Sequence, residues 1–304
     1  HCNYYTFYLP KKRLIMNFGK MLLLLPLSLI ATAQAEEIRI AVSDLLADHI
    51  LAPLKVYGAE NDTTFVVDSI GSLPALDRLR SDEIDLAIVA LPEGDEVPRD
   101  EFNIYPFAYD VAVIVVNDSN PIDEISVARL GGIFGSNEEL NLNTWGELGL
   151  SGWGSRNIKA LAGINDKSIA LELFKHSIFK SGGLKPNVSV VKDTEIEDLI
   201  GSDVASIAIL SRVPENSNIK VLMVSSGGDT YAPAFGPTDY NVHYGDYPIR
   251  LPFYILYNAR DDVKLRSTIR ELLNDEVATS LRANDFIALP DTLRRKFLID
   301  LDLE

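Results

Sequence analysis

Three Ser-x-x-Lys spacings occur in this chain, at Ser177–Lys180, Ser189–Lys192 and Ser217–Lys220. A lysine so close to a serine can act as base for a hydroxyl nucleophile. The three lie in unlike contexts, so the spacing carries no weight by itself. A serine hydrolase also needs a base held within hydrogen-bond reach, and no Gly-x-Ser-x-Gly elbow is present. Beyond the first 35 residues the histidines are His49, His176 and His243, each expected on the surface or in a turn. No phosphate-cradling Walker loop, dinucleotide glycine fingerprint or His-Glu-x-x-His pair appears. Paired carboxylates are too common in a chain this acidic to single any out. Cys2 is the one cysteine, so the chain beyond residue 35 has no disulfide, thiolate nucleophile or cysteine metal ligand. The expectation is a protein that is not an enzyme and uses no cofactor and no metal.

Charge narrows the partners. The sequence has 28 basic and 44 acidic residues, and Lys11, Lys12, Arg13 and Lys20 all fall in the first 35 residues, which hold no acid. The remainder is therefore 24 minus 44, or −20. Such a body repels phosphate backbones and anionic membrane surfaces, which argues against nucleic acid and peripheral lipid as partners. With 304 residues, 47% of them hydrophobic, the chain can bury a large core as one large domain or two smaller ones.

The N-terminus explains where that acidic body goes. Lys20 precedes the apolar run "MLLLLPLSLIATA", followed by Ala33-Gln34-Ala35 and then Glu36-Glu37. Basic region, apolar region and small-residue cleavage site stand in the order of a secretory signal peptide, with cleavage expected after Ala35. The run contains Pro26 and is well short of the roughly 20 apolar residues that a spanning helix needs. Met16 can serve as the start, and residues 1–15 read either as an extended basic region or as translated upstream sequence. The expected location is the periplasm, where a large core makes disulfides unnecessary.

The elements that must position any site alternate in type. Strand-like runs at 37–42, 63–68, 84–91, 157–163, 187–191, 205–210 and 219–224 are separated by amphipathic segments such as 73–80, 168–180 and 194–200. This is an α/β pattern with mainly parallel sheets. Two long strand-rich runs, "FAYDVAVIVVN" (107–117) and "YPIRLPFYILYN" (247–258), break the alternation. Runs of that kind can pass from one lobe to another. Residues 261–298 read as helices only, with Leu265, Ile269, Leu272 and Leu273 on one face.

The stretch Val115–Gly149 is the most specific. A valine-rich strand meets "NDSNP" (117–121), Ser126 is placed to cap a helix over 127–134 that ends in Ile-Phe, and "WGELG" (145–149) follows. This order resembles the periplasmic phosphate-binding proteins of ABC-type transporters. "IGSLPALDRLRSDEIDLAIVAL" (70–91), "YPIRLPFYILYN" and "LLNDEVATSLRANDFIALPDTLRRKFL" (272–298) extend the resemblance over about 260 residues.

The resemblance implies the two-lobed type II periplasmic binding protein fold, each lobe a mixed, mainly parallel sheet flanked by helices. It implies one lobe from residues 36–112 and 225–304 and the other from 113–224. It also implies a monomer that holds a small oxyanion, phosphate by family, or another small polar solute in the interlobe cleft and delivers it to an inner-membrane ABC permease. Hydroxyls and backbone N–H groups at helix N-termini would hold the anion, because the helix dipole favours negative charge there. The turns placed to do so are "VSDL" (42–45), "DSIGSLP" (68–74) and "GINDKSIA" (163–170). They offer Ser43, Asp44, Ser69, Gly71, Ser72, Asn165, Lys167 and Ser168 as ligand-binding residues. Where the family has Arg and then Ser-Gly-Thr, this chain has Ile164 and Ser168-Ile169-Ala170. Weak phosphate binding, or another ligand, is expected from that departure. The alternative is a binding domain reused as a sensor or protein-interaction subunit with a degenerate phosphate site.

Overall fold

The computed structural model describes residues 35–227 and 232–303. Residues 1–34, which hold Cys2 and all but the last residue of the expected signal peptide, lie outside them. Among the described residues no helix is long and apolar enough to cross a membrane.

The first third alternates as its sequence pattern requires: β1 (Glu36–Val42), α1 (Ala47–Glu60), β2 (Thr63–Ser69), α2 (Ser72–Arg80), β3 (Leu86–Ala90) and then β4 (Asn103–Val111). β1 pairs in parallel with β2 and β3, the arrangement that a helical crossover produces. β3, "LAIVA", is buried over its first four residues, as a central strand covered on both faces must be, whereas edge strand β2 alternates in burial.

At Ala112 the chain leaves this sheet. β5 (Val113–Asn117) belongs to a second sheet, and β6 (Glu124–Ser126) leads into α3 (Val127–Phe134). Ser126 caps α3 as its sequence position indicates, its Oγ accepting from Arg129 N at 3.3 Å. A 3-10 turn at Trp145–Leu148 follows, held by a Thr144–Glu147 capping box and closed by Gly149 at φ +87°. β7 (Lys159–Ile164), α4 (Ala170–Ile178), β8 (Ser189–Lys192), α5 (Asp193–Ser202) and β9 (Ser206–Leu210) complete parallel pairings of β7 with β8 and β9. The run read as one strand over 219–224 is two: β10 (Ile219–Val221) pairs with β5, and β11 (Met223–Ser225) pairs with β6. The break falls at Leu222, whose N–H bonds to Ile114 O.

The chain then returns through α6 (Asp239–Tyr244) to β12 (Arg250–Tyr257), which lies between β3 and β4 in the first sheet. α7 (Asp262–Leu272), α8 (Asp275–Ala283), β13 (Ile287–Ala288) and α9 (Asp291–Leu303) close it. The all-helical reading of 261–298 therefore misses β13, a two-residue strand on the edge beside β4. Leu265, Ile269, Leu272 and Leu273 are all buried, which follows from their shared helical face. The sheet orders are β13-β4-β12-β3-β1-β2 and β10-β5-β9-β7-β8, with a small β11-β6 pair.

Candidate functional site

Two pockets flank α4, and both draw residues from around the two sheets. The larger, of about 550 Å³, is lined by Ser43 and Asp44 after β1, Ser72 at the start of α2, Ala90–Pro92 after β3, and Ile169, Glu172 and His176 on the α4 side. Leu45, Leu73, Leu173 and Leu251 make it chiefly apolar. The smaller, of about 210 Å³, is polar and is lined by His49, Asp110, Asn165, Lys167, Ser168 and Ser211, with residues 283–286 on the remaining side.

The residues expected from the sequence divide between these pockets. Ser43, Asp44 and Ser72 line the first, and Asn165, Lys167 and Ser168 line the second. Ser69 and Gly71 line neither. Several of the hydroxyls are already engaged. Ser72 Oγ accepts from Ala90 N at 3.0 Å, which ties the start of α2 to the end of β3. Ser168 Oγ accepts from Ala170 N at 3.1 Å, and Asn165 Oδ1 accepts from Lys167 N at 3.0 Å, so both act first as turn chemistry. Lys167 is exposed, and its Nζ forms no hydrogen bond or ion pair among the described residues. Ile164 is 46% exposed and sits in a third, shallow hollow with Ser168 and Ser211.

The smaller pocket also holds groups that the sequence reading did not choose. Asp110, near the end of β4, is 3% exposed. Its Oδ1 accepts from Val111 N at 2.9 Å, while Oδ2 is buried with no hydrogen-bond partner of good geometry. Burial pushes its carboxyl up to about 6, against the steadying effect of Val111 N–H, Ile169 N–H and the Ser168 hydroxyl. Asp285, at φ +69° in the turn between α8 and β13, is an exposed residue whose carboxyl is nonetheless raised by partial desolvation, against the opposing effect of Arg212. Behind the pocket Asp193 Oδ2 accepts from Ser211 N at 3.1 Å and from Ser211 Oγ, and its Oδ1 is buried without a partner. A Cβ at Gly163 would lie 1.9 Å from that Oδ1 and 2.8 Å from Ile209 O. Glycine on β7 is what admits the carboxylate.

Two histidines also depart from the surface reading. His49 is half-buried in the pocket wall, its ring 5.5 Å from that of Phe286, and burial holds its pKa below the ordinary value. His243 is half-buried and its Nδ1 meets Tyr109 Oη at 2.7 Å. Both are drawn inward by helix faces that the sequence pattern does not mark. Lys180 and Lys220 of the Ser-x-x-Lys spacings are engaged with Glu139 at 2.6 Å and Asp123 at 2.7 Å. Among the described residues no three His, Cys, Asp or Glu side chains converge as metal ligands.

One signal for Asp110 was available, since it is the single charged residue in the 107–117 run. A lone carboxylate in an apolar strand demands a reason. Asp285 and Phe286 had no comparable mark, because only the fold brings the α8–β13 turn beside the β7–α4 turn.

Two sheets joined by exchanged segments, with pockets between them, define the two-lobed type II periplasmic binding protein fold. The chain is similar in structure to an ABC-type phosphate transport receptor from Vibrio cholerae, with a TM-score of 0.58 and 19% identity over 83% of this chain and 100% of that one. It belongs to the PBP superfamily, whose domain matches residues 30–271. It is 28% identical over 227 residues to protein SphX of Synechococcus elongatus, covering 70% of this chain and 65% of that protein. It is 32% identical over 89 residues to the phosphate-binding protein PstS of Pseudomonas aeruginosa, covering 28% of this chain. The match spans about a quarter of that PstS, 27% of its length.

Proposed function

We propose that this chain is an exported receptor that captures a small oxyanion-bearing solute between its two lobes and passes it to an inner-membrane ABC permease. The observation that carries the reading is the placement of α4, whose N-terminal turn borders both pockets and faces Ser43, Asp44 and Ser72 from the other sheet. A solute seated there touches both lobes at once, which is how such a fold couples binding to hinge closure. The lobes are taken as 36–112 with 225–304, and 113–224. The relatives named for phosphate support an oxyanion as part of the ligand. Export with cleavage after Ala35 and a monomeric receptor complete the reading.

Lys167, Ser168, Asn165, Ser43 and Ser72 are the donors assigned to that oxyanion. Lys167 stands where its free ammonium can swing inward, and it supplies the cation that Ile164 does not. Thermal-shift screening against phosphate, sulfate, phosphonates and polar organic solutes tests this, because a ligand at 100 times its Kd adds about 2.7 kcal/mol. The expected result is a rise in Tm with an oxyanion-bearing solute and a smaller radius of gyration by solution scattering. A melting curve that no such solute moves would refute the receptor reading.

A further inference from the structure

We propose that the smaller pocket holds the ammonium end of a small zwitterionic solute, with Asp110 Oδ2 as its acceptor, so that the cleft takes an amine-bearing oxyanion in preference to a bare inorganic one. This rests on the receptor reading above and names the chemical class of its ligand.

Asp110 is 3% exposed, and its Oδ2 is buried with no hydrogen bond of good geometry, although Ile169 N–H and the Ser168 hydroxyl stand beside the carboxyl. A buried charge left unpaired is costly, and proteins pair such groups or leave them for a ligand. Asp110 also stands at the N-terminal end of α4, close enough to Ile169 N–H and the Ser168 hydroxyl for both to favour its charge. The seat where the helix dipole would receive a foreign anion is thus filled by a carboxylate of the chain itself.

The rest of the wall agrees. Asp285 lines the same space as a second carboxylate, and Asp193 lies behind it beyond Ser211. Phe286 and the half-buried His49 supply aromatic surface, and a cation is attracted to an aromatic face. The one lining cation is Lys167, which is exposed and sits at the rim. A bare dianion placed inside would meet Asp110 and Asp285 at close range, whereas an ammonium would meet two carboxylates and two rings. Its oxyanion end then points outward to Lys167. A volume of about 210 Å³ suits an ammonium with a few carbon atoms.

The groups facing Asp110 are Asp285 from the α8–β13 turn, His49 from α1, Lys167 and Ser168 from the β7–α4 turn, and Ser211 with Asp193 below. Lys167 is the one Lys or Arg among them, and Arg212 acts on the Asp285 carboxylate from beyond the lining. The mature chain's charge of −20 adds a field that draws cationic groups and repels dianions.

Calorimetry at pH 7.5 with 2-aminoethylphosphonate, ethylphosphonate and inorganic phosphate tests the proposal on the whole mature chain. The amine-bearing probe is expected to bind roughly ten- to a hundredfold more tightly than the other two, the range of one charge-assisted hydrogen bond. Asp110→Asn should erase that gap, by weakening the amine-bearing probe and by relieving the repulsion that holds ethylphosphonate off. Asp285→Asn, at an exposed position, should narrow it in the same direction. Ethylphosphonate or phosphate binding as tightly as the amine, or a preference that survives both variants, overturns the ammonium seat but leaves the receptor reading standing. No binding of any of the three overturns both.

Discussion

The Tyr247 hydroxyl donates to the Ala112 carbonyl at 2.7 Å, and Ala112 N–H donates to Ile249 O at 3.2 Å. Ala112 is the single residue between β4 in one sheet and β5 in the other. Tyr247 and Ile249 lie on the segment that returns the chain to β12. The two connections between the sheets are therefore bonded to each other, and both tyrosine and alanine are fully buried. Burial also raises the Tyr247 pKa, so the hydroxyl stays a donor throughout the physiological range.

Replacing Tyr247 with Phe removes the donor and leaves the ring. The Ala112 carbonyl would then lose a buried partner, at a cost of about 1 to 3 kcal/mol. Urea unfolding should show a lower midpoint with an unchanged m-value, since the exposed surface of the unfolded chain is the same. If the bond also fixes the angle between the lobes, the ligand-free variant should give a broader distance distribution in solution scattering. A midpoint equal to that of the parent chain would show that the contact carries no stability.

Trp145 makes a comparable claim within the second sheet's surroundings. It is 0% exposed, donates Nε1–H to Ala205 O at 3.0 Å and packs edge-on against Trp153 with centroids 6.1 Å apart. The Ala205 carbonyl also accepts from Lys159 N at 3.0 Å, so it is not orphaned when the indole goes. Trp145→Phe should consequently lose one hydrogen bond and some packing volume, together about 1 to 3 kcal/mol. Thermal unfolding would check this, and a loss near zero would mean that the turn repacks without the indole.

How much of this was legible in the sequence depends on the range of the contacts. The strand-helix alternation, the Ser126 cap and the burial of the Leu265–Leu273 face follow from period and local capping, which one segment decides by itself. The split at Leu222 and the strand at Ile287–Ala288 depend on a distant partner, Ile114 in one case and β4 in the other. No local pattern encodes such a partner. The same division holds for the site. Asn165, Lys167 and Ser168 could be chosen because they form one turn, and they do border one pocket. Asp110 and Asp285 are 175 residues apart in numbering, 285 minus 110, and only the pairing of β13 with β4 makes them neighbours.

Asp110 also makes a prediction about stability that is independent of any ligand. Its carboxyl titrates near pH 6 in the folded chain, against about 3.9 when unfolded. The folded state therefore binds more protons between those values, and stability falls as pH rises through that window. Two units correspond to about 2 to 3 kcal/mol, absent below pH 4 and complete above pH 6. Asp110→Asn should remove this penalty, so the ligand-free variant should be more stable than the parent at pH 7 and equal to it near pH 4. Other groups titrate in the experiment. His49 and His243 are held below their ordinary value by burial, which makes stability rise with pH across part of the same range. Asp291, drawn down to about 2 by Arg282 and Arg294, contributes stability that is present above about pH 4 and lost below it. Both effects are common to variant and parent, so the readout is the difference between their denaturation midpoints at each pH. A gap that widens from pH 4 to 7 is expected. A variant less stable than the parent at pH 7, or a gap that does not change with pH, would show that Asp110 carries no buried charge in the ligand-free protein.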